Sequence, residues 1–151
     1  MMNVKGNLTV SPATQNDAEF VKTMFELNQK KLNAEFISLS EWQEILSNPD
    51  PYEKHFLICK ESMPVAYIKI NGLENKDTAY VSMLFVHCKY QRQGIGSFAL
   101  DFAQQYVFER GFSHLAIKTD KENLQAQHCY EKNGFILSQK RGKYLYIKPI
   151  K

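Results

Sequence analysis

Cysteine is scarce and unpatterned in this chain. Cys59, Cys88 and Cys129 are odd in number and none stands at a metal-ligand spacing from another. That argues against a disulfide scaffold or a cysteine metal site and favours a reducing compartment. No run approaches the 18 apolar residues a membrane-spanning helix needs, and the opening MMNVKGNLTV lacks the apolar stretch of a signal peptide. A soluble cytoplasmic protein without a membrane partner is the expectation. Excess charge is also small: 19 Lys and Arg against 16 Asp and Glu give +3. A nucleic-acid binder carries a denser basic stripe, so no nucleic-acid partner is expected. What excess there is gathers in the C-terminal third, at Lys118, Lys121, Lys132, Lys140, Arg141 and Lys143, and reads first as solvated surface. Linkers, repeats and low-complexity segments are missing too. At 151 residues the chain reads as one domain, residues 1–151, able to bury roughly two thirds of its unfolded surface.

What is present alternates between two periods. Leu8 to Val10 reads as a short strand. Thr14-Gln-Asn-Asp17 has the form of a capping box ahead of Phe20, Val21, Met24 and Phe25, which recur at helical spacing. SLSEWQEIL repeats that arrangement with Ser38 or Ser40 as cap, and Asn48-Pro-Asp-Pro51 ends it. HFLICK and PVAYIKI are β-rich runs joined by a short polar turn, and a second turn leads into AYVSMLFV. Ile95, Phe98, Ala99, Phe102, Ala103, Tyr106 and Val107 mark an amphipathic helix with Gly111 as its stop. HLAIKT is a strand, Asn123 to Asn133 a helix ended by Gly134, and FILSQ and YLYIKPI are closing strands. The order β-α-α-β-β-β-α-β-α-β-β describes a mixed α/β (α+β) fold.

The stretch KYQRQGIGSFALDF carries the first chemical signal. Gly94 and Gly96 stand where a strand hands over to a helix, and a helix N-terminus offers unpaired N–H groups and partial positive charge to an anion. Without a Cβ, the backbone can come within hydrogen-bonding reach of phosphate oxygens. By itself the stretch fits a tight strand-to-helix turn equally well. A dinucleotide fingerprint needs a third glycine where Ala99 stands, and a P-loop needs Gly-Lys-Ser/Thr, which does not occur.

The second signal is NLQAQHCYEKNGF, which sets Asn123, Ala126 and Tyr130 on one helix face ahead of Gly134-Phe135. With the Gln-x-x-Gly-x-Gly of Gln91 to Gly96, this resembles the GCN5-related N-acetyltransferase (GNAT) superfamily, most strongly from Tyr80 to Phe135. The resemblance implies a single domain with a mixed sheet of about six to seven strands, splayed in the middle and flanked by about four helices. It implies acetyl-CoA as cosubstrate, no metal, and direct attack of a primary amine in a ternary complex. Phe85, Val86 and His87 would present backbone to the pantetheine, with the Val86 N–H polarising the thioester carbonyl. Gln91, Arg92, Gln93, Gly94, Ile95, Gly96 and Ser97 would form the pyrophosphate loop. Asn123 and Ala126 would face the pantetheine from the next helix, and Tyr130 would be the acid for the departing thiolate.

One position departs from the pattern. Several amine acetyltransferases of this kind carry a glutamate where Ser82 stands, so Ser82 is expected to hold a relaying water in place of a base; His87 and Glu35 are the fallbacks. His128 reads as surface, and Cys129 as buried rather than nucleophilic. An acyl-CoA-binding regulatory module without transfer activity is the alternative reading, supported by the Ser82 departure alone. The acceptor, a small-molecule amine or a peptide or protein amine, is not legible, and a homodimer is an expectation from the resemblance only.

Overall fold

The computed structural model describes residues 4–5, 7–28 and 36–151. In chain order the elements are β1 (Val4–Lys5), β2 (Leu8–Pro12), α1 (Ala18–Leu27), α2 (Leu39–Ser47), β3 (Lys54–Lys60), β4 (Met63–Asn71) and β5 (Thr78–Val86), followed by α3 (Ile95–Phe108), β6 (His114–Thr119), α4 (Leu124–Lys132), β7 (Ile136–Gln139) and β8 (Tyr144–Pro149). The four helices and the order of the longer strands agree with the sequence reading; the two-residue β1 is an addition. One eight-stranded sheet runs β1-β2-β3-β4-β5-β6-β8-β7.

Both expected capping boxes form. Thr14 accepts from the Asn16 amide at 3.3 Å while its own N–H donates to Asp17 at 2.8 Å, opening a short 3-10 turn (Gln15–Asp17) that leads into α1. At α2 the cap is Ser38, whose N–H donates to Glu41 at 2.9 Å and whose hydroxyl accepts from the Glu41 amide at 3.1 Å. Those bonds favour the Glu41 carboxylate and hold it below the usual range. Such caps are worth about 0.5–2 kcal/mol each, enough to fix where short helices begin.

Strand alternation builds two cores, one on each face. Ile58, Ile68, Ile70, Val81, Leu115 and Ile117 pack against Ile95, Phe98, Phe102 and Tyr106 of α3 and Tyr130 of α4. On the opposite face Leu57 and Tyr67 meet Val21 and Phe25 of α1 and Trp42 and Leu46 of α2. Burying side chains of this size contributes about 1.5–3 kcal/mol apiece.

β5 and β6 are the parallel pair, and they pair only from Thr78 to Val81 against His114 to Ile117. Beyond that point β5 continues to Val86 on β4 alone, and β6 continues to Thr119 on β8 alone. The sheet is therefore splayed between its two central strands. At the parting, β4 pairs Ile70 with Val81 but Lys69 with Met83, so Ser82 is an extra, bulged residue. The bulge resets the alternation: Val81, Leu84 and Val86 all lie on the α3 face, while Met83 and Phe85 lie on the α1–α2 face.

Candidate active site

A cleft of about 610 Å³ opens at the splay. Its floor is Leu84 and Val86 of β5, one wall is the loop and start of α3 (Tyr90 to Arg92, Gly94 to Ser97), and the other is α4 with Asn123, Ala126 and Tyr130. Two signals some thirty residues apart in sequence thus face each other across one cavity.

The α3 wall is made of backbone donors. Arg92 and Gly94 take left-handed φ values of 62° and 82°, which turns the chain sharply into the helix. The first helical hydrogen bond runs from the Phe98 amide to the Gly94 carbonyl at 2.9 Å. The amides of Ile95, Gly96 and Ser97 before it have no acceptor among the described residues, and no side chain caps this end. A Cβ built on Gly94 meets nothing within 4 Å, so the glycine answers a backbone requirement and leaves the approach open. On Gly96 a Cβ meets only the Cys129 sulfur, at 3.6 Å. Free amides aimed into an open cleft fit a phosphate group.

The floor offers fewer donors than three consecutive residues suggest. The His87 amide donates to the Val65 carbonyl of β4 at 2.9 Å. With Val86 opposite Ala66 and Phe85 opposite Tyr67, the alternation of an antiparallel ladder turns the Phe85 and His87 backbone toward β4. Leu84 and Val86 are turned the other way, into the splay. The Val86 carbonyl accepts from the Gln91 side chain at 3.2 Å, which ties the loop to the strand end and leaves the Val86 N–H facing the cleft. Leu84 is a position the sequence reading missed; its signal was the same alternation, hidden by the bulge.

On α4, Asn123 accepts from the Ala126 amide at 3.1 Å, so its carbonyl oxygen caps the helix and its NH₂ remains for the cleft. Tyr130 is buried except for 8% of its surface and packs against Phe135 and Tyr146 with centroids 6.2 Å and 5.7 Å away. Burial first, then Cys129 and Tyr146, raises its pKa, which keeps the phenol protonated. Its hydroxyl makes no hydrogen bond among the described residues while its side chain lines the cleft. At the end of α4 the Asn133 side chain donates to Ser97 at 3.0 Å and to the Cys129 carbonyl at 2.7 Å, clamping the two walls together.

Other expected residues lie elsewhere. Ser82 is exposed and outside the cleft lining. Gln93 turns away to accept from Lys60 at 3.1 Å. Phe85 joins the aromatic cluster on the opposite face, 6.4 Å from Phe25 and 6.1 Å from Tyr67. His87 accepts from the Lys89 amide at 3.1 Å and packs on Tyr90. Glu35 lies outside the described residues. His128 is exposed yet lines the cleft, as do Lys132, Gln125 and Asn28, while Cys129 is half-buried with its thiol pKa pushed up, mainly by burial. Among the described residues no carboxylate lines the cavity. Among the described residues no helix is long and apolar enough to cross a membrane.

A sheet parted between two parallel strands, with free helix-terminal amides at the parting, is the arrangement that the resemblance to acetyltransferases implies. Residues 20–135 match the profile of the Acetyltransferase (GNAT) family, and the chain belongs to that family. It is an N-acetyltransferase by that membership. No curated protein matches the chain in sequence. Among solved structures it resembles an acetyltransferase from Thermus thermophilus (22% identity, TM-score 0.78, covering 99% of this chain and 100% of that one). It also resembles the ribosomal-protein-S18-alanine N-acetyltransferase of Escherichia coli (19%, 0.74, 95% and 94%). A third is the PaiA N-acetyltransferase of Thermoplasma acidophilum, solved in complex with coenzyme A (16%, 0.75, 94% and 98%). At these identities the likeness is one of fold.

Proposed function

We propose that the chain is an acetyl-CoA-dependent N-acetyltransferase that moves the acetyl group to a primary amine in a ternary complex, without an acyl-enzyme. The observation that carries this is the run of unpaired amides at Ile95, Gly96 and Ser97, set across one cleft from Asn123 and Tyr130. Acetyl-CoA supplies the acetyl group as a thioester, whose C–S bond breaks as the amine nitrogen forms the new C–N bond. The α3 amides bind the pyrophosphate, with the Arg92 guanidinium at the rim. Leu84 and Val86 hold the pantetheine as an added strand would be held. The Val86 N–H points where negative charge develops on the carbonyl oxygen, a donor worth about 2.7–4 kcal/mol if it is aligned with that charge. Tyr130 gives its proton to the departing thiolate.

Among the described residues that line the cleft no carboxylate stands ready to take a proton from an ammonium, and His128, on α4, is the one imidazole. An amine with a lysine-like pKa of about 10.4 is only ~0.04% neutral at pH 7, a cost of roughly 4.6 kcal/mol. An α-amine near 7.8 costs only about 1 kcal/mol. The site therefore favours acceptors of low pKa, with water as the proton carrier. The test is release of CoA thiol from acetyl-CoA in the presence of small amines, aminoglycosides and peptides with free N-termini. Amine-dependent thiol release supports transfer; CoA binding with no acceptor-stimulated release across the panel means a binding module instead.

A further inference from the structure

Asn133 caps the C-terminal end of α4, and its side-chain NH₂ uses both of its protons. One goes back to the Cys129 carbonyl at 2.7 Å, and the other crosses to the Ser97 hydroxyl of α3 at 3.0 Å. The first bond fixes the orientation of the amide. A carbonyl only accepts, so the NH₂ and not the Oδ1 faces Ser97. The Ser97 oxygen is therefore the acceptor in that contact, and its own proton is left to donate. No acceptor takes that proton among the described residues. The Cys129 sulfur stands close by, 3.8 Å from the same Asn133 nitrogen, but a thiol sulfur accepts weakly. Ser97 lines the cleft beside Ile95 and Gly96, and the amides of all three are unpaired among the described residues. An anion seated on those amides would be the stronger acceptor for the hydroxyl proton.

Asn133 is held from behind as well. Its backbone carbonyl accepts from the Lys148 ammonium at 2.8 Å, and a Cβ added to Gly134 would come within 3.2 Å of the Lys148 Cε. β8 thus steadies the end of α4, and the Asn133 amide sets the hydrogen-bond polarity of Ser97. Neither Asn133 nor Lys148 lines the cleft. We infer that Asn133 is a positioning residue for the cofactor: by donating to Ser97 it turns the Ser97 hydroxyl proton into the cleft, so that Ser97 holds the pyrophosphate with its side chain as well as its amide. This rests on the acetyl-CoA reading above and adds to it a residue outside the cleft that acts through another.

The test is calorimetric titration with CoA of the unaltered chain, Ser97→Ala, Asn133→Ala, the double variant and Asn133→Asp, with the phosphorus NMR spectrum of bound CoA for each. Ser97→Ala removes the donor at a helical position that alanine suits, so it keeps the fold and reads the hydroxyl alone. It should weaken CoA binding by roughly 10-fold, as the loss of a hydrogen bond to a charged group does. Asn133→Ala should lose nearly as much, and the double variant no more than Ser97→Ala, because both changes remove the same bond. Asn133→Asp can only accept from Ser97 and reverses the bond, so it should bind CoA at least as weakly as Asn133→Ala. In Ser97→Ala and Asn133→Ala alike the pyrophosphate resonances of bound CoA should move while that of its ribose phosphate stays. Unchanged CoA affinity in Ser97→Ala or in Asn133→Ala, or losses that add in the double variant, overturns the inference and leaves the acetyl-CoA reading standing. If the unaltered chain takes up no CoA, both fall.

Discussion

Burial changes what Tyr130 offers as an acid. Its pKa is raised, mainly because the ring is out of water, so the phenol holds its proton throughout pH 6 to 9. A donor that reluctant is a poor match for a thiolate whose pKa is about 8.5, and a CoA thiolate is already a fair leaving group. Tyr130→Phe should therefore lower kcat by roughly 10- to 100-fold, the low end for general acids, with KM for acetyl-CoA little changed and the loss equal at every pH between 6 and 9. Steady-state kinetics over that range decide it; full kcat in the phenylalanine variant makes Tyr130 a packing residue. His55 tells a separate story on the far face. Its Nδ1 meets the Tyr67 hydroxyl at 2.7 Å, and its buried Nε2 has no hydrogen-bond partner, with the nearest Glu53 oxygen 3.8 Å away. Burial, and secondarily Lys69, lowers its pKa from 6.5 to about 4. The unfolded chain thus binds a proton first, so stability is complete above pH 6.5 and falls as pH drops toward 4, by about 3 kcal/mol over that window. His55→Gln keeps a partner for Tyr67 and should flatten this part of the profile, as read by denaturant unfolding at pH 7 and pH 4.5.

The start of α3 is the element on which the site depends, and its two glycines are not equivalent. Gly94 has φ of 82° with open space where a Cβ would be, whereas Gly96 has an ordinary helical backbone and a 3.6 Å contact to Cys129. A β-branched side chain at Gly94 is strained by about 1–2 kcal/mol for its backbone alone and also covers the approach to the amides. Gly94→Val should lower the melting temperature by several degrees and weaken CoA binding at least 10-fold, while Gly96→Ala should change the melting temperature little. Calorimetric titration with CoA, beside a thermal melt of each variant, separates strain from binding; unchanged CoA affinity in Gly94→Val leaves the glycine serving only the turn. The caps, the element order and the glycines were legible because each depends on neighbours within a few residues. The bulge at Ser82 was not, because it is set by the register of β5 on β4. Leu84, Gln93, Tyr90 and Lys132 escaped for a similar reason: which way each faces is decided by β4, Lys60 and the packing of α3 on α4. Ser82, singled out from the resemblance, is itself the bulged residue, exposed where β5 and β6 part.

At the scale of the whole molecule, the sheet holds two packed cores apart from each other, and its two central strands part beyond Val81 and Ile117. One face carries the free amides at the start of α3, which under the proposed function would take the anionic cofactor. Acetyl transfer by this arrangement requires first that the cleft take CoA. A ligand bound only by the native state at 100 times its Kd stabilises by about 2.7 kcal/mol, which for a chain of this size is roughly 5–10 °C in melting temperature. Thermal unfolding at pH 7 with millimolar CoA, and in parallel with NAD and with ATP, is the most direct measurement. A rise of that order is expected with CoA, abolished or much reduced in Gly94→Val, and much smaller rises with NAD and ATP, whose binding motifs the loop lacks. No shift with CoA, or equal shifts with all three, would contradict it.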